Sequence, residues 1–294
     1  MFRHLITSQG LPAEGDEKYT AAGSYTFTVP AGVTSISAVL IGGGGGSSDN
    51  FPGTVEAGAG GTLVYATFLV TPGENLAVVV GDGGNGLAYS NSTTQPGGHG
   101  GSTTISRGGT LLFRAPGGKG GANSTSQDTV FIHSDALSSA SYAGGAGGLG
   151  AENREGNGGG GAGGYSGVGG AGGDFQQDSG QDGAGGAGGG GASGTMGGFL
   201  NGASGEGAHG GGTAIFGAGA NGAGGDERGE NGGVGSPQSG VSGGTVGYGG
   251  GAPSRAGARY LNPDAGYGGR SGDHGAVRIV YPGQSRYYPS TNLT

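Results

Sequence analysis

The sequence contains no cysteine and no tryptophan among its 294 residues. Without cysteine the chain can form neither disulfide bonds nor thiolate metal sites. Charged residues are also scarce, at 11% of the chain, and the formal net charge is −8. Because an acidic chain with so few Lys and Arg residues cannot neutralise a phosphate backbone, we expect no nucleic-acid partner.

Long apolar runs are missing as well. No segment approaches the roughly 20 apolar residues that a membrane-spanning helix needs, so we expect no membrane insertion. The opening "MFRHLITSQGLPAEGDEKY" lacks the apolar stretch of a secretory signal, which predicts synthesis in a cytoplasm without an export signal of its own. Residues 1–22 are interpreted as an arm that docks on a partner, with a frayed terminus as the alternative.

Glycine dominates what is present, with 85 residues against 11 prolines. Such a composition is typical of low-complexity or disordered chains. The low charge argues against a self-repelling coil. The glycines are also unevenly placed, since 60 of them lie between Pro116 and Gly275.

Seven segments show the alternation, or the β-branched and aromatic content, of β-strands. Gly and Pro turns separate several of them, which favours an antiparallel β-sandwich. The segments are "SYTFTV", "VTSISAVLI", "TLVYATFLV", "NLAVVV", "STTISR", "TLLFRA" and "GAVRIVY".

The order of these segments predicts the domain organisation. Six of them precede Pro116 and the last follows Gly275, and a lone strand needs sheet partners. We therefore expect a sandwich built from residues 23–115 and 276–283, with residues 116–275 inserted into it and residues 284–294 as a tail.

The inserted region has a three-residue glycine period. Within Gly161–Gly191, glycine recurs at positions 161, 164, 167, 170 and 173, and again at 185, 188 and 191. Three residues per turn is the period of the polyproline II helix. The sequence thus predicts an all-β protein with almost no α-helix, whose insertion is a bundle of packed polyglycine II helices. The segment "DFQQDSGQD" would reverse the chain between two of them, and a flexible coil is the alternative.

The motifs that could carry chemistry are weak. Residues 240–244 match G-x-S-x-G without the strand and helix that a nucleophile elbow requires. The five histidines lack metal-ligand spacing. The segment "GDGGNG" at 81–86 lacks the acidic ligands of a calcium loop and is expected to be a turn. We therefore expect no enzyme activity, cofactor or metal.

Recognition is the remaining possibility for the aromatic and arginine residues that interrupt the glycine runs. Such residues are favoured at binding hot spots, and loops on a rigid scaffold are where binding concentrates. The candidate receptor or partner contacts are Phe175, Arg255, Arg259, Tyr260 and Tyr267.

Both edges of the predicted sandwich resemble glycine-rich modules of tailed-bacteriophage tail proteins. The matching stretches are "YTFTVPAGVTSISAVLIGGGGGSS" (25–48) and "GAVRIVYPGQSRYYPSTN" (275–292). The middle is similar to the tip adhesins of T-even-like tail fibres and to the glycine-rich region of the anaplastic lymphoma kinase ectodomain, both of which contain polyglycine II helices. The attachment domain of those adhesins has no identified counterpart here.

The resemblance implies a virion protein of the tail or another external appendage. Loops at the ends of the glycine helices would contact a host-surface protein or polysaccharide, and other virion tail proteins would be partners; homo-oligomerisation is left open. A purely structural virion component, such as a neck, collar or decoration protein, is the first alternative. An ice-binding protein is a more remote one, since packed glycine helices can form flat regular faces.

Overall fold

Two antiparallel β-sheets pack face to face in the computed structural model of the protein. The structure describes residues 14–48, 56–86, 95–123, 128–149, 155–176, 179–180, 195–196, 207–218, 221–224, 247–254 and 269–289. None of the described residues lies in an α-helix. The strands, in chain order, are β1 (Gly15–Tyr19), β2 (Gly23–Thr28), β3 (Ser35–Ile41), β4 (Leu63–Leu69), β5 (Asn75–Val80), β6 (Thr103–Arg107), β7 (Thr110–Ala115), β8 (Phe131–Ile132), β9 (Ser138–Tyr142), β10 (Glu155–Gly156), β11 (Phe175–Gln176), β12 (Ser179–Gly180), β13 (Thr195–Met196) and β14 (Ala276–Tyr281).

Ten of the strands form two five-stranded sheets. The first has the order β1-β14-β3-β4-β9 and the second has the order β2-β5-β6-β7-β8. All neighbouring strands in both sheets are antiparallel. The seven strands predicted from the sequence are confirmed, and β14 pairs with the early strand β3 as expected.

The core lies between the two sheets. Strand β5 alternates exposed and buried residues, because the second sheet faces solvent on its outer side. Strand β3 is buried along its whole length, since the outer face of the first sheet is covered too. The cluster between the sheets includes Phe27, Ile36, Phe68, Leu76, Ile105, Phe113 and Ile279.

The outer face of the first sheet is covered by a second apolar cluster. Tyr165 and Tyr288 stack with their ring centroids 5.8 Å apart, and Tyr165 stacks on Tyr65 at 6.2 Å. The Tyr165 hydroxyl donates to the Ala214 carbonyl at 3.0 Å, and the Tyr288 hydroxyl donates to the Ile215 carbonyl at 2.7 Å. These bonds satisfy the polar ends of two buried rings and fix the segment around Ile215 on the sheet.

The boundaries of the sandwich differ from those expected. Strand β1 lies within residues 1–22, which were expected to form an arm, and β8 and β9 lie within the expected insertion. The strand signal of β1 and β9 is weak, because "GDEKY" is charged and "SSASY" is rich in Ser and Ala. Backbone pairing with β14 and β4 forms these edge strands nonetheless.

No helix of the described residues is long and apolar enough to cross a membrane.

Candidate functional site

Glycine-rich segments continue the sandwich strands at one end of the molecule. Segment 42–48 follows β3 directly, and segment 56–62 leads into β4. Antiparallel neighbours point in opposite directions, so the end of one strand and the start of the next lie at the same edge of the sheet. We call these segments glycine rods; those that the structure describes are 42–48, 56–62, 81–86, 95–101, 116–121, 143–149, 157–164, 167–173, 207–213, 247–254 and 269–275.

Successive backbone N–H groups of one rod donate to different neighbouring rods. In rod 42–48, Gly43 donates to Gly101 at 3.0 Å, Gly44 to Asp273 at 2.8 Å and Gly45 to Ala59 at 2.8 Å. The same three rods receive the next three hydrogen bonds, from Gly46, Ser47 and Ser48. This three-residue repeat is the period predicted from the glycine spacing.

The carbonyl groups of the same rod accept from three further rods. The oxygens of Gly43, Gly44 and Gly45 accept, in that order, from Gly118 at 2.7 Å, Gly84 at 2.8 Å and Ala252 at 2.9 Å. Rod 42–48 is therefore hydrogen-bonded to six neighbours. Its backbone groups are satisfied by other rods instead of by a sheet, which is the packing of polyglycine II helices.

Close approach of the backbones requires glycine where one rod faces another. A Cβ atom added to Gly44 would overlap the carbonyl oxygen of Gly250. Rod 143–149, by contrast, lies at the surface, with Ala143, Ala146 and Leu149 exposed at every third position. In this rod, side chains occupy outward positions, and glycine backbone faces the neighbouring rods.

The bundle is not confined to the expected insertion. Rods 42–48, 56–62, 81–86 and 95–101 all come from before residue 116. The bundle therefore grows from the ends of many sandwich strands. The expectation of a single insertion at 116–275 follows from the order of the strand segments and the glycine density, and neither shows which short runs pack together.

The predicted rod Gly161–Gly173 is divided by a turn. Gly164 donates to Gly167 at 3.0 Å, and Gly161 and Gly158 donate to Gly170 and Gly173 on the returning rod. Tyr165 lies in this turn and is anchored on the first sheet, which explains why the chain reverses there. A second reversal follows within "DFQQDSGQD", where β11 pairs with β12.

The segment "GDGGNG" is a rod and not the turn expected from its sequence. Asp82 and Asn85 are exposed three residues apart, while Gly81 and Gly84 are buried.

Among the described residues, no group of three or more His, Asp or Glu side chains could hold a metal ion.

Side chains and turns cap the rods at the end away from the sandwich; this end is called the tip. The Ser48 hydroxyl accepts from the Glu56 N–H at 2.8 Å, and a Glu56 carboxylate oxygen accepts from the Ala122 N–H at 2.7 Å. Ala122 has a φ of 51°, an uncommon conformation for a residue with a Cβ. A carboxylate oxygen of Asp174 accepts from the Leu149 N–H at 2.7 Å.

A second capping pair lies on neighbouring rods at the tip. The Ser254 hydroxyl accepts from the Asn157 N–H at 2.8 Å and from the Asn157 side-chain amide at 3.2 Å. Both residues are fully buried. The last turns of these rods are thereby fixed, so the tip is a rigid base for the connections that leave it.

Of the candidate contact residues predicted from the sequence, the structure describes the position of Phe175 alone. Phe175 begins β11, directly after Asp174. Arg255, Arg259, Tyr260 and Tyr267 lie outside the described residues, in the connection 255–268. The rods on either side of that connection, 247–254 and 269–275, are hydrogen-bonded to each other through Asp273 and Gly250.

An ion pair joins β1 to strand β14, and no motif in the sequence predicts it. The Arg278 side chain is 3% exposed, donates to an Asp16 carboxylate oxygen at 2.9 Å and lies 5.1 Å from the centre of the Phe216 ring. Partial burial opposes ionisation of Asp16, but the hydrogen bonds and positive charges of Arg278 and Lys18 outweigh it and lower its pKa. Arg278 thus stabilises a charged edge strand that its own composition does not predict.

The fold is a β-sandwich that carries glycine rods on one end. The profile of the glycine-rich domain family matches residues 20–282, and the chain belongs to this family. No curated protein matches the chain.

Proposed function

We propose that the protein is a bacteriophage tail component that uses the tip of its rod bundle to attach to the host surface. The observation that carries this proposal is that the bundle has two different ends. The rods leave the same end of the sandwich, and Ser254 and Gly269, the described residues that flank 255–268, lie at the opposite end of the bundle, as β11 does. A capped, hydrogen-bonded base of this kind suits loops that bind a partner.

The other end of the molecule supports the same orientation. Gly15 pairs with Tyr281, at the end of β14 that points away from the bundle. The chain therefore enters the sandwich opposite the tip. Other tail proteins would be bound at that end, and a host protein or polysaccharide would be bound at the tip.

The experiment uses a phage that carries this chain and the bacterium on which it grows. Purified protein is added to the cells before the phage, and both cell binding and phage adsorption are measured. We expect the protein to bind the cells and to reduce adsorption. Replacing residues 255–268 with a Gly/Ser segment of equal length is expected to abolish both effects.

A matched control changes the exposed face of the second sheet. Ala77→Glu alters an outward-facing residue of β5 and should leave binding unchanged. If the unmodified protein neither binds the cells nor reduces adsorption, the adhesin proposal is wrong. A purely structural virion role would then be the better account.

A further inference from the structure

Asp273 is a partly buried residue of rod 269–275, and one oxygen of its carboxyl group lies inside the glycine bundle. Its N–H donates to the Gly250 carbonyl at 2.9 Å, and its own carbonyl accepts from the Gly44 N–H at 2.8 Å. The backbone of Asp273 therefore joins rod 269–275 to rods 247–254 and 42–48.

One carboxylate oxygen of Asp273 has no comparable partner. Its Oδ2 atom is buried and accepts no hydrogen bond from the described residues. That oxygen faces Gly250 so closely that a Cβ atom there would lie 2.7 Å from it. Negative charge on this oxygen would lose its hydration without gaining a donor.

The charged and titratable groups of the surrounding rods are few. Rod 42–48 has none, rod 247–254 has Tyr248, and rod 81–86 has the exposed Asp82. Rod 207–213, whose Gly210 carbonyl lies against Gly250 beside Oδ2, has His209. Rod 269–275 itself has Arg270 and His274. Burial raises the pKa of Asp273 to about 7, and the electrostatic interaction with His274 opposes this shift only in part.

We propose that Asp273 is a protonation switch that sets how firmly rod 269–275 is held against rods 42–48 and 247–254. The neutral acid fits the dry contact between the rods, whereas the ionised form favours an open arrangement in which water reaches Oδ2. This inference depends on the bundle geometry alone and is independent of the proposed host attachment.

The direction of the pH effect follows from the two protonation states. The pKa of Asp273 in the folded bundle lies above its ordinary value of 3.8. The stability that the protonated Asp273 side chain gives to the folded bundle is fully present below about pH 4. It is lost progressively as the pH rises to about 7 and changes no further above that.

The test is amide hydrogen exchange of the full chain at pH 5 and pH 8, corrected for the chemical exchange rate. The probes are the Gly44 and Asp273 amides, which join the three rods, and the Gly158 amide, which donates to Gly173 elsewhere in the bundle. We expect protection of the first two to fall by at least about tenfold at pH 8, since one pKa unit corresponds to a tenfold change. Protection at Gly158 should change less.

Two variants separate Asp273 from other acids. Asp273→Asn, or Asp273→Ser if the amide disturbs packing, should remove the pH dependence at Gly44. Asp82→Asn, which changes an exposed acid on a neighbouring rod, should retain it. Equal protection of Gly44 at both pH values in the unmodified protein would overturn the proposal, as would an unchanged pH dependence in either Asp273 variant.

Discussion

At the scale of single residues, the bundle separates positions that must lack a side chain from positions that tolerate one. Rod 143–149 contains both kinds next to each other. A Cβ atom on Gly145 would overlap the carbonyl oxygen of Gly170, whereas Ala146 is exposed. Neighbouring residues of one rod should therefore respond differently to the same substitution.

We predict that Gly145→Val destabilises the protein by about 1–3 kcal/mol, because the added side chain forces rods 143–149 and 167–173 apart. Ala146→Val is the matched control, and we expect it to change the stability by less than about 0.5 kcal/mol. Chemical denaturation of the two variants measures the difference. Equal effects of the two substitutions would show that the rods are not packed as described.

The sequence predicts some residues of the site better than others. The three-residue glycine period is visible because only glycine allows rods to pack on all sides. The partners of each rod are not visible, since one glycine run is much like another. Asp273 could not be recognised either, because its burial depends on Gly44 and Gly250, which are distant in sequence.

At the scale of elements, alternating and β-branched segments are predicted well and short polar strands are not. Strand β5 has three consecutive valines, which favour a strand, and its burial alternates because one face of the sheet meets solvent. Strand β9 has Ser and Ala in place of such residues and forms because β4 offers a free edge. Tertiary pairing outweighs local propensity in such strands.

The turn at Tyr165 is the element that links the bundle to the outer face of the first sheet. Its ring is buried against Tyr65 and Tyr288, and it holds the reversal between rods 157–164 and 167–173. We predict that Tyr165→Ala costs about 3–5 kcal/mol, which is typical of removing a buried aromatic ring.

The loss at Tyr165 should be local at first. Hydrogen exchange should increase in rods 157–164 and 167–173, while the amides of β3 and β4 stay protected. Val168→Ala, which changes an exposed residue near the same turn, serves as the control. A uniform loss of protection over both rods and sheets would contradict a local anchoring role.

At the scale of the whole molecule, the sandwich makes a glycine bundle feasible. Ordering a residue costs roughly 1–2 kcal/mol of backbone entropy, and a hydrogen bond returns roughly 0.5–1.5 kcal/mol. Isolated rods would thus be marginal. Seven strand ends start or receive a rod in the described structure, so part of the ordering is supplied by the sheets.

Amide hydrogen exchange within rod 157–164 tests the central claim, that the glycine runs form a hydrogen-bonded bundle. Gly161, Ala162 and Gly163 donate to three different rods, at Gly170, Gly211 and Gly61. We expect protection at all three consecutive amides if the rods form this bundle. An edge β-strand would protect alternate amides, and a flexible linker would protect none. Either of those two patterns would show that the glycine runs do not form a hydrogen-bonded bundle.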